Sequence, residues 1–289
     1  MALVRNRYRL VHQLAQTPYG GVFLCNDEFQ RPRRVVLKCV SLRQAISALD
    51  RSKARLQAPD DPRQEKAFSH LQRTEAAPHP HIVQYLDDFI EGHTLYFVLE
   101  YCVGGDLYAA VNRTPSRRLP GAEALRVTKQ LATAVADLHR RGIVHRDLSL
   151  ENVLLSRGVC KIADFGLSAR AEEPCGQRVG KAYYMAPEVV ARGVVYDPKA
   201  ADVWSLGIIL FILVTGSPLV PLATEQDAAF RVFRTVGVRE VLQAWGMAES
   251  TGEAVLQLLE GMLQCDPGQR LTAEQVLNHA AFARRAAAA

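Results

Sequence analysis

The sequence predicts an α+β chain in two lobes, a small antiparallel sheet followed by a larger helical portion. Three observations carry this. Apolar runs rich in β-branched and aromatic residues, broken by turn signals, crowd the N-terminal third; helix-period patterns dominate after it; and a loop bearing Asp and Asn follows the first long helical pattern. At 289 residues and 48% hydrophobic content, the chain can bury a sizeable core.

Five runs read as strands: Tyr8–Leu14, Val22–Asn26, Val35–Val40, Ile82–Phe89 and Leu95–Tyr101, with Glu91-Gly92-His93 as the turn between the last two. The segment Glu100-Tyr101-Cys102-Val103 leads into the helical part, and the cleft expected at that junction is a natural ligand site. Ala122–Arg141 reads as a helix with Leu131, Val135 and Leu138 on one face and Gly142 at its C-terminal cap. Val203–Val214 is the most apolar window; it falls short of the ~20 residues needed to cross a bilayer and reads as a buried helix. Glu253–Gln264 repeats the helical pattern, Thr272-Ala273-Glu274-Gln275 is a capping box that opens a last helix, and an Ala-rich end follows Arg284-Arg285.

The net charge of +5 is mild, and Lys and Arg are scattered instead of forming a stripe, so neither nucleic acid nor a membrane is an expected partner. Met1–Leu10 carries Arg5, Arg7 and Arg9 without an apolar core and does not read as a secretory signal. Cys25, Cys39, Cys102, Cys160, Cys175 and Cys265 lie far apart with no CxxC pair, which disfavours zinc and a disulfide framework. A reducing, cytoplasmic compartment is expected, with nuclear access open.

The run Ile143-Val144-His145-Arg146-Asp147-Leu148-Ser149-Leu150-Glu151-Asn152-Val153-Leu154-Leu155, followed by Lys161-Ile162-Ala163-Asp164-Phe165-Gly166, places an Asp, an Asn and a second Asp at a spacing suited to phosphoryl transfer. A phosphoryl group in flight carries spread negative charge and needs positioning and metal ions more than covalent help. Either tripeptide, His-Arg-Asp or Asp-Phe-Gly, would alone read as a turn at a strand end. Joined in order, they resemble the catalytic core of the eukaryotic-type protein kinase superfamily, and the resemblance covers essentially the whole chain. It implies a bilobal protein kinase fold in a single domain over residues 1–289, with an N-lobe at 1–99, a hinge at 100–103, a C-lobe at 104–283 and an Ala-rich tail at 284–289. The likeness is to serine/threonine catalytic domains, loosely those of calcium/calmodulin-type and energy-sensing kinases.

The resemblance also implies roles. Asp147 is the expected catalytic base, and Asn152 and Asp164 the expected Mg²⁺ ligands. Lys38, in Val35-Val36-Leu37-Lys38, would contact the α- and β-phosphates of ATP, with its ion-pair partner on the following helix. Glu65 is the choice there, although it places Ser69 where an apolar residue is usual, whereas counting from Gln64 would place Phe68; Glu75 is a weaker alternative. Glu100 to Cys102 would bind adenine, Leu99 would guard the pocket behind it, and Leu14, Gly20, Val22, Val36, Asp106 and Leu154 complete the expected nucleotide site.

Two departures from the pattern stand out. The Gly-rich loop reads Leu14-Ala15-Gln16-Thr17-Pro18-Tyr19-Gly20-Gly21-Val22, so of its three glycines only Gly20 remains, and Ala15, Thr17 and Pro18 should loosen the cover over the phosphates. Ser149 stands where serine/threonine kinases carry a Lys, while Lys181 stands where they carry a Thr. Charge and hydroxyl have traded places, so either Lys181 restores the charge near Asp147 or it points to water. The segment Asp164–Glu188 has Gln177 at the usual phosphorylation site, leaving Glu172 or Glu173 as an expected anion for Arg146. Glu188 with Arg270, and Asp202 beneath the catalytic loop, are expected structural contacts.

The expected activity is ATP- and Mg²⁺-dependent transfer of the γ-phosphate to Ser/Thr hydroxyls of a protein substrate, since the Arg- and Ala-rich catalytic loop of tyrosine kinases is absent. Acids at Asp106 and Glu151 suggest basic residues upstream of the target, although Asp106 could instead bind ribose. The alternative is a pseudokinase scaffold, for which the depleted loop and Ser149 speak; a small-molecule phosphotransferase of related fold is disfavoured by Ala186-Pro187-Glu188. The sequence leaves the oligomeric state open.

Overall fold

A computed structural model describes residues 3–30, 33–52, 59–173, 175–191 and 193–283, so the Ala-rich tail lies outside the described residues. The N-terminal lobe is a six-stranded sheet of β1 (Leu3–Val4), β2 (Tyr8–Thr17), β3 (Gly20–Asp27), β4 (Arg33–Ser41), β5 (Tyr85–Glu91) and β6 (Thr94–Glu100). Its order is β1-β2-β3-β4-β6-β5, and every pairing is antiparallel. Alternation gives β4 two faces. Val35 and Leu37 join Tyr8, Cys25, Phe89 and Val98 in an outer cluster, whereas Val40 belongs to the main core and Val36 and Lys38 share its side of the strand. The strand expected from Ile82 begins only at Tyr85, because Val83 N donates to Ile162 O at 2.9 Å and so ties this stretch to the other lobe instead of to β6.

Between β4 and β5 lie α1 (Leu42–Ser52) and α2 (Pro62–Arg73). Asp61 caps α2 by accepting Arg63 N at 2.9 Å, and Pro62 occupies the first turn, where its missing N–H costs nothing. Past the hinge come α3 (Leu107–Asn112), α4 (Gly121–Arg140), β7 (Ile143–Val144), β8 (Val153–Ser156), β9 (Val159–Ile162) and β10 (Ala169–Arg170). Gly142, at φ +69°, makes the left-handed exit of α4 that the sequence predicts. The rest is helical: α5 (Pro187–Val190), α6 (Pro198–Thr215), α7 (Ala228–Ala244, kinked at Gly237), α8 (Ala248–Thr251), α9 (Glu253–Met262) and α10 (Ala273–Leu277).

Helix α6 explains the apolar window. Its 18 residues are long and apolar enough to span a bilayer, yet 78% of them are buried, with Trp204 and Phe211 wholly enclosed. It is the central helix of the C-terminal lobe. Asp197 caps its start, and Gly216, at φ +79°, ends it. The capping box at Thr272 forms as expected, with Gln275 N donating to Thr272 Oγ1 and Thr272 N to Gln275 Oε1. Arg270 makes a two-pronged ion pair with Glu188 at 2.6 and 3.1 Å and also donates to Ala200 O, which joins α5 and α6 to the approach of α10.

Candidate active site

The catalytic loop hangs from α6. Asp202 accepts His145 N on Oδ2 at 2.9 Å and Arg146 N on Oδ1 at 2.8 Å, while His139 Nε2 lies 3.0 Å from Oδ2. Burial would push this carboxyl up, but His139 and the backbone donors outweigh it and hold Asp202 below the ordinary value. These bonds keep Arg146 at φ +67°, a conformation an L-residue adopts only when its surroundings impose it. Asp147 N donates to His145 Nδ1 at 3.2 Å, which makes Nε2 the protonated nitrogen that donates to Ala163 O.

Asp147 therefore projects from a fixed turn. Asn152 Nδ2 donates to Asp147 O and to its Oδ2, both at 2.7 Å, and the amide oxygen of Asn152 takes part in neither bond. Ala163 N donates to Asn152 O at 2.9 Å, which sets Asp164 beside this loop.

From the other lobe, Lys38 Nζ contacts Glu65 at 2.8 and 3.0 Å and Asp164 Oδ1 at 2.7 Å. Glu65, not Gln64 or Glu75, is thus the helix partner. Phe68, three residues on and on the same face of α2, stacks on Phe165 with ring centres 3.5 Å apart, so ion pair and apolar contact are both satisfied. Ser69 is buried with its hydroxyl toward Asp88. Burial opposes the charge of Lys38, but Asp164 and Glu65 outweigh it and raise its pKa; burial likewise opposes ionisation of Asp164, and Lys38 holds it below the ordinary range. Burial pushes Glu65 up against the pull of Lys38, yet the Tyr85 hydroxyl also donates to Glu65 at 2.9 Å, an arrangement that suits the carboxylate.

Lys181 reaches inward. Its Nζ lies 3.0 Å from Asp147 Oδ2 and 2.9 Å from the Oγ of Ser149, which is fully buried. Of the two possibilities the sequence leaves, the structure takes the contact with Asp147. Arg146 differs from expectation: among the described residues neither Glu172 nor Glu173 pairs with it. The chain turns early after β10, so that Glu172 lies beside Gly142, and Arg146 faces Tyr196, whose hydroxyl donates to Gln177 O.

Strand register builds the sheet face at which a nucleotide is expected, because residues directly opposite one another share a side of the sheet. Val22 pairs with Lys38 and Val36 with Leu99, which puts all four on the inner side. Glu100 turns its carboxylate to Gln84 N and Lys161 Nζ, at 2.8 and 2.7 Å, and Cys102 beyond it is buried. Asp106 Oδ1 caps α3 through Ala109 N at 2.6 Å, and its backbone bridges Leu154. Leu14 is exposed, and Thr17 pairs with Gly20 across the loop. At Gly20 a side chain is excluded, since a Cβ would fall 2.2 Å from Cys39 O.

Asp60 is the residue that the motifs did not single out. It lies against Gly166, close to Asp164, Lys38 and Asp147, and burial first, then Asp164, pushes its carboxyl up to about 6 from an ordinary 3.8. A raised carboxyl destabilises the fold once ionised: folded and unfolded forms are both neutral below the unfolded value, stability falls as pH rises between the two values, and the loss is complete above the folded one. Asp60→Asn is therefore expected to stabilise the metal-free protein above about pH 7 by up to about 3 kcal/mol, a gain that vanishes below about pH 4. Thermal denaturation at the two pH values measures it; an equal effect at both would show that the carboxyl is solvated.

Oxygen ligands for a hard divalent cation are available here, from Asn152 through its amide oxygen and from Asp164, and they fit Mg²⁺ better than a nitrogen- or sulfur-seeking metal.

A protein kinase domain model matches residues 8–282. Calcium-dependent protein kinase 12 of Oryza sativa subsp. japonica is 32% identical over 286 residues, covering 96% of this chain and 49% of that protein. Calcium-dependent protein kinase 7 of Arabidopsis thaliana is 32% identical over 279 residues, with 94% and 48% covered. Putative CBL-interacting protein kinase 13 of Oryza sativa subsp. japonica is 38% identical over 214 residues, with 71% and 39% covered. The chain spans about half the length of the calcium-dependent kinases it matches.

Proposed function

The chain belongs to the protein kinase domain family, and on that premise we propose that it transfers the γ-phosphate of ATP, with Mg²⁺ as cofactor, to serine and threonine hydroxyls of protein substrates. The single observation that carries this reading is that one polar cluster draws on both lobes: Lys38 and Glu65 from the sheet side meet Asp164, which follows a residue bonded to Asn152, which in turn bonds Asp147. The same retained set speaks for turnover and against a scaffold that only binds.

In this mechanism Asp147 accepts the proton of the incoming hydroxyl, oriented by Asn152 and Lys181. Lys38, fixed by Glu65, meets the phosphates, and Lys181 adds positive charge on the side of the transferred group, with Ser149 supplying the hydroxyl contact. Asn152 and Asp164 would hold Mg²⁺, which when bound neutralises phosphate charge. Val22, Val36, Leu99 and Leu154 line the base, with Leu14 and Gly20 in the covering loop; Glu100 to Cys102 offer backbone groups to adenine. Asp106, already a helix cap, stands where ribose would lie. Glu151, which is exposed, fits a basic residue upstream of the target. Six free thiols support a reducing, cytoplasmic setting.

Contacts within the chain support the activation segment, through the β7–β10 pair, the Cys175–Tyr196 bridge and the Tyr196–Gln177 bond, and Gln177 stands at the usual phosphorylation site. Activity is accordingly expected to be the same before and after phosphatase treatment. The test is transfer of label from ATP to peptide libraries and to aminoglycosides, with Asp147→Asn as control. Label on peptide serine or threonine supports the reading, label on aminoglycosides alone or on nothing overturns it, and loss of activity on dephosphorylation contradicts phosphate independence.

A further inference from the structure

Helix α2 turns an unusually polar side to the sheet. Its buried residues are Pro62, Glu65, Phe68, Ser69 and Gln72, and three of them, Glu65, Ser69 and Gln72, fall at i, i+4 and i+7 on one face. A face packed on a sheet is ordinarily apolar, because a buried polar group costs free energy unless it is hydrogen-bonded. Here the partners come from β5 and the residues just before it. The Tyr85 hydroxyl donates to Glu65 Oε1 at 2.9 Å. Tyr85 N donates to Gln72 Oε1 at 2.7 Å, and Gln72 Nε2 donates to Val83 O at 3.0 Å. Ser69 Oγ lies 3.4 Å from Oδ1 of Asp88, and Lys66 Nζ lies 2.9 Å from its Oδ2.

The bonds of Gln72 imitate those of a backbone. β5 stands at the edge of the sheet, and Gln84 O faces β6, where it accepts Glu100 N at 3.0 Å. Val83 O and Tyr85 N therefore face the other way, as the two groups that a parallel neighbour would bond from a single residue. The amide of Gln72 takes both, and so satisfies an edge whose residues are buried. Tyr85 thus holds α2 at two points two turns apart, Gln72 through its N–H and Glu65 through its hydroxyl. Its ring stands edge-on to Phe68 and Phe165, with centres at 5.8 and 6.4 Å.

Apolar packing has no direction and tolerates a small roll or slide of a helix, whereas hydrogen bonds weaken steeply away from their preferred angle. Rolling α2 by one residue would leave Glu65 and Gln72 buried without these partners. The helix therefore has one seat, and in it Glu65 meets Lys38 at 2.8 and 3.0 Å. We propose that Tyr85 and Gln72 are positioning residues for phosphoryl transfer, which seat α2 on the sheet edge by directional hydrogen bonds so that Glu65 holds Lys38 in place. The inference rests on the kinase reading.

Two variants remove the bonds and keep the bulk: Tyr85→Phe, which retains the ring, and Gln72→Met, which retains the length of the side chain. Each is measured by amide exchange of residues 63–73 in nucleotide-free protein and by steady-state kinetics with ATP, Mg²⁺ and a peptide substrate. A twelve-residue helix is marginal once undocked, so exchange of α2 should speed up roughly tenfold in each variant, the worth of one such hydrogen bond. kcat/KM for ATP should fall by a similar factor, since it includes the cost of reseating α2, while KM for the peptide stays within about twofold. Phe89→Leu is the control for a merely structural loss. Phe89 lies on β5 in the outer cluster, stacked on Tyr96 with ring centres 5.0 Å apart, so this variant should lower the melting temperature and match the parent in α2 exchange and kcat/KM. The seat requires faster exchange and lower kcat/KM in both Tyr85→Phe and Gln72→Met; absence of either change, or the same two changes in Phe89→Leu, overturns it. A parent protein that transfers no phosphate overturns the kinase reading instead, and α2 exchange in nucleotide-free protein still judges the seat.

Discussion

Asp147→Asn is expected to lower kcat by roughly 10²–10⁴-fold, the worth of a positioned general base, with KM for ATP within about twofold because the side chain meets the hydroxyl and not the nucleotide. The local geometry makes this a clean substitution. Asp147 Oδ2 receives both Asn152 Nδ2 and Lys181 Nζ, and an asparagine oxygen can still accept from them, so the loop anchored by Asp202 keeps its course. What asparagine lacks is basicity. Lys181 loses its counter-charge, but its side chain is 38% exposed, so water takes up most of that loss and the fold should melt within a few degrees of the parent. Steady-state kinetics on a peptide found by the library screen would decide. A loss in kcat smaller than about tenfold would mean that proton removal is not assisted at this position.

The parts of the fold that were legible in the sequence are those that repeat a period or satisfy a backbone end. Strand alternation exposed β2 to β6, the apolar run exposed α6, and the Thr272 capping box opened α10 where it was expected. Two-residue strands such as β7 and β10 have no room for a period; they exist because the catalytic loop and the activation segment run side by side. Glu65 and Gln64 are neighbours on a helix and no spacing rule separates them, so only the distance to Lys38 picks the partner. Ser149 and Lys181 could be noticed because they violate a pattern at two fixed motif positions. Asp60 violates none. It belongs to a stretch without periodicity, and its place beside Gly166 follows from how α2 is capped, which is a property of the folded chain. The anion expected for Arg146 failed for the same reason: nearness in sequence said nothing about which way Glu172 and Glu173 would turn.

Lys181→Ala should lower kcat roughly 10²–10³-fold, the cost of removing one preorganised charge from the transferred group, with a smaller effect on KM for ATP. The contact pattern favours a working cation over a surface lysine. Nζ sits between a carboxylate and a buried hydroxyl, at 3.0 and 2.9 Å, and Ser149 has no access to water with which to replace that bond. Ser149→Lys alone would place a second cation at a position with no access to water and against the first, and should be as damaging as the loss of one, since the buried charge would have neither water nor a free counter-charge. Lys181→Thr alone removes the cation. The two substitutions together return charge to position 149 and a hydroxyl to position 181, so that an ammonium again faces Asp147 and a hydroxyl again faces the ammonium. Most of kcat should then return, with a coupling of about 1.5–3 kcal/mol between the two sites. Strictly additive losses would show that the lysine and the serine act separately, and the exchange of charge and hydroxyl would then have no bearing on turnover. Recovery confined to thermal stability, with kcat still low, would assign the pair to holding the catalytic loop in place and would leave Asp147 to work without a neighbouring cation.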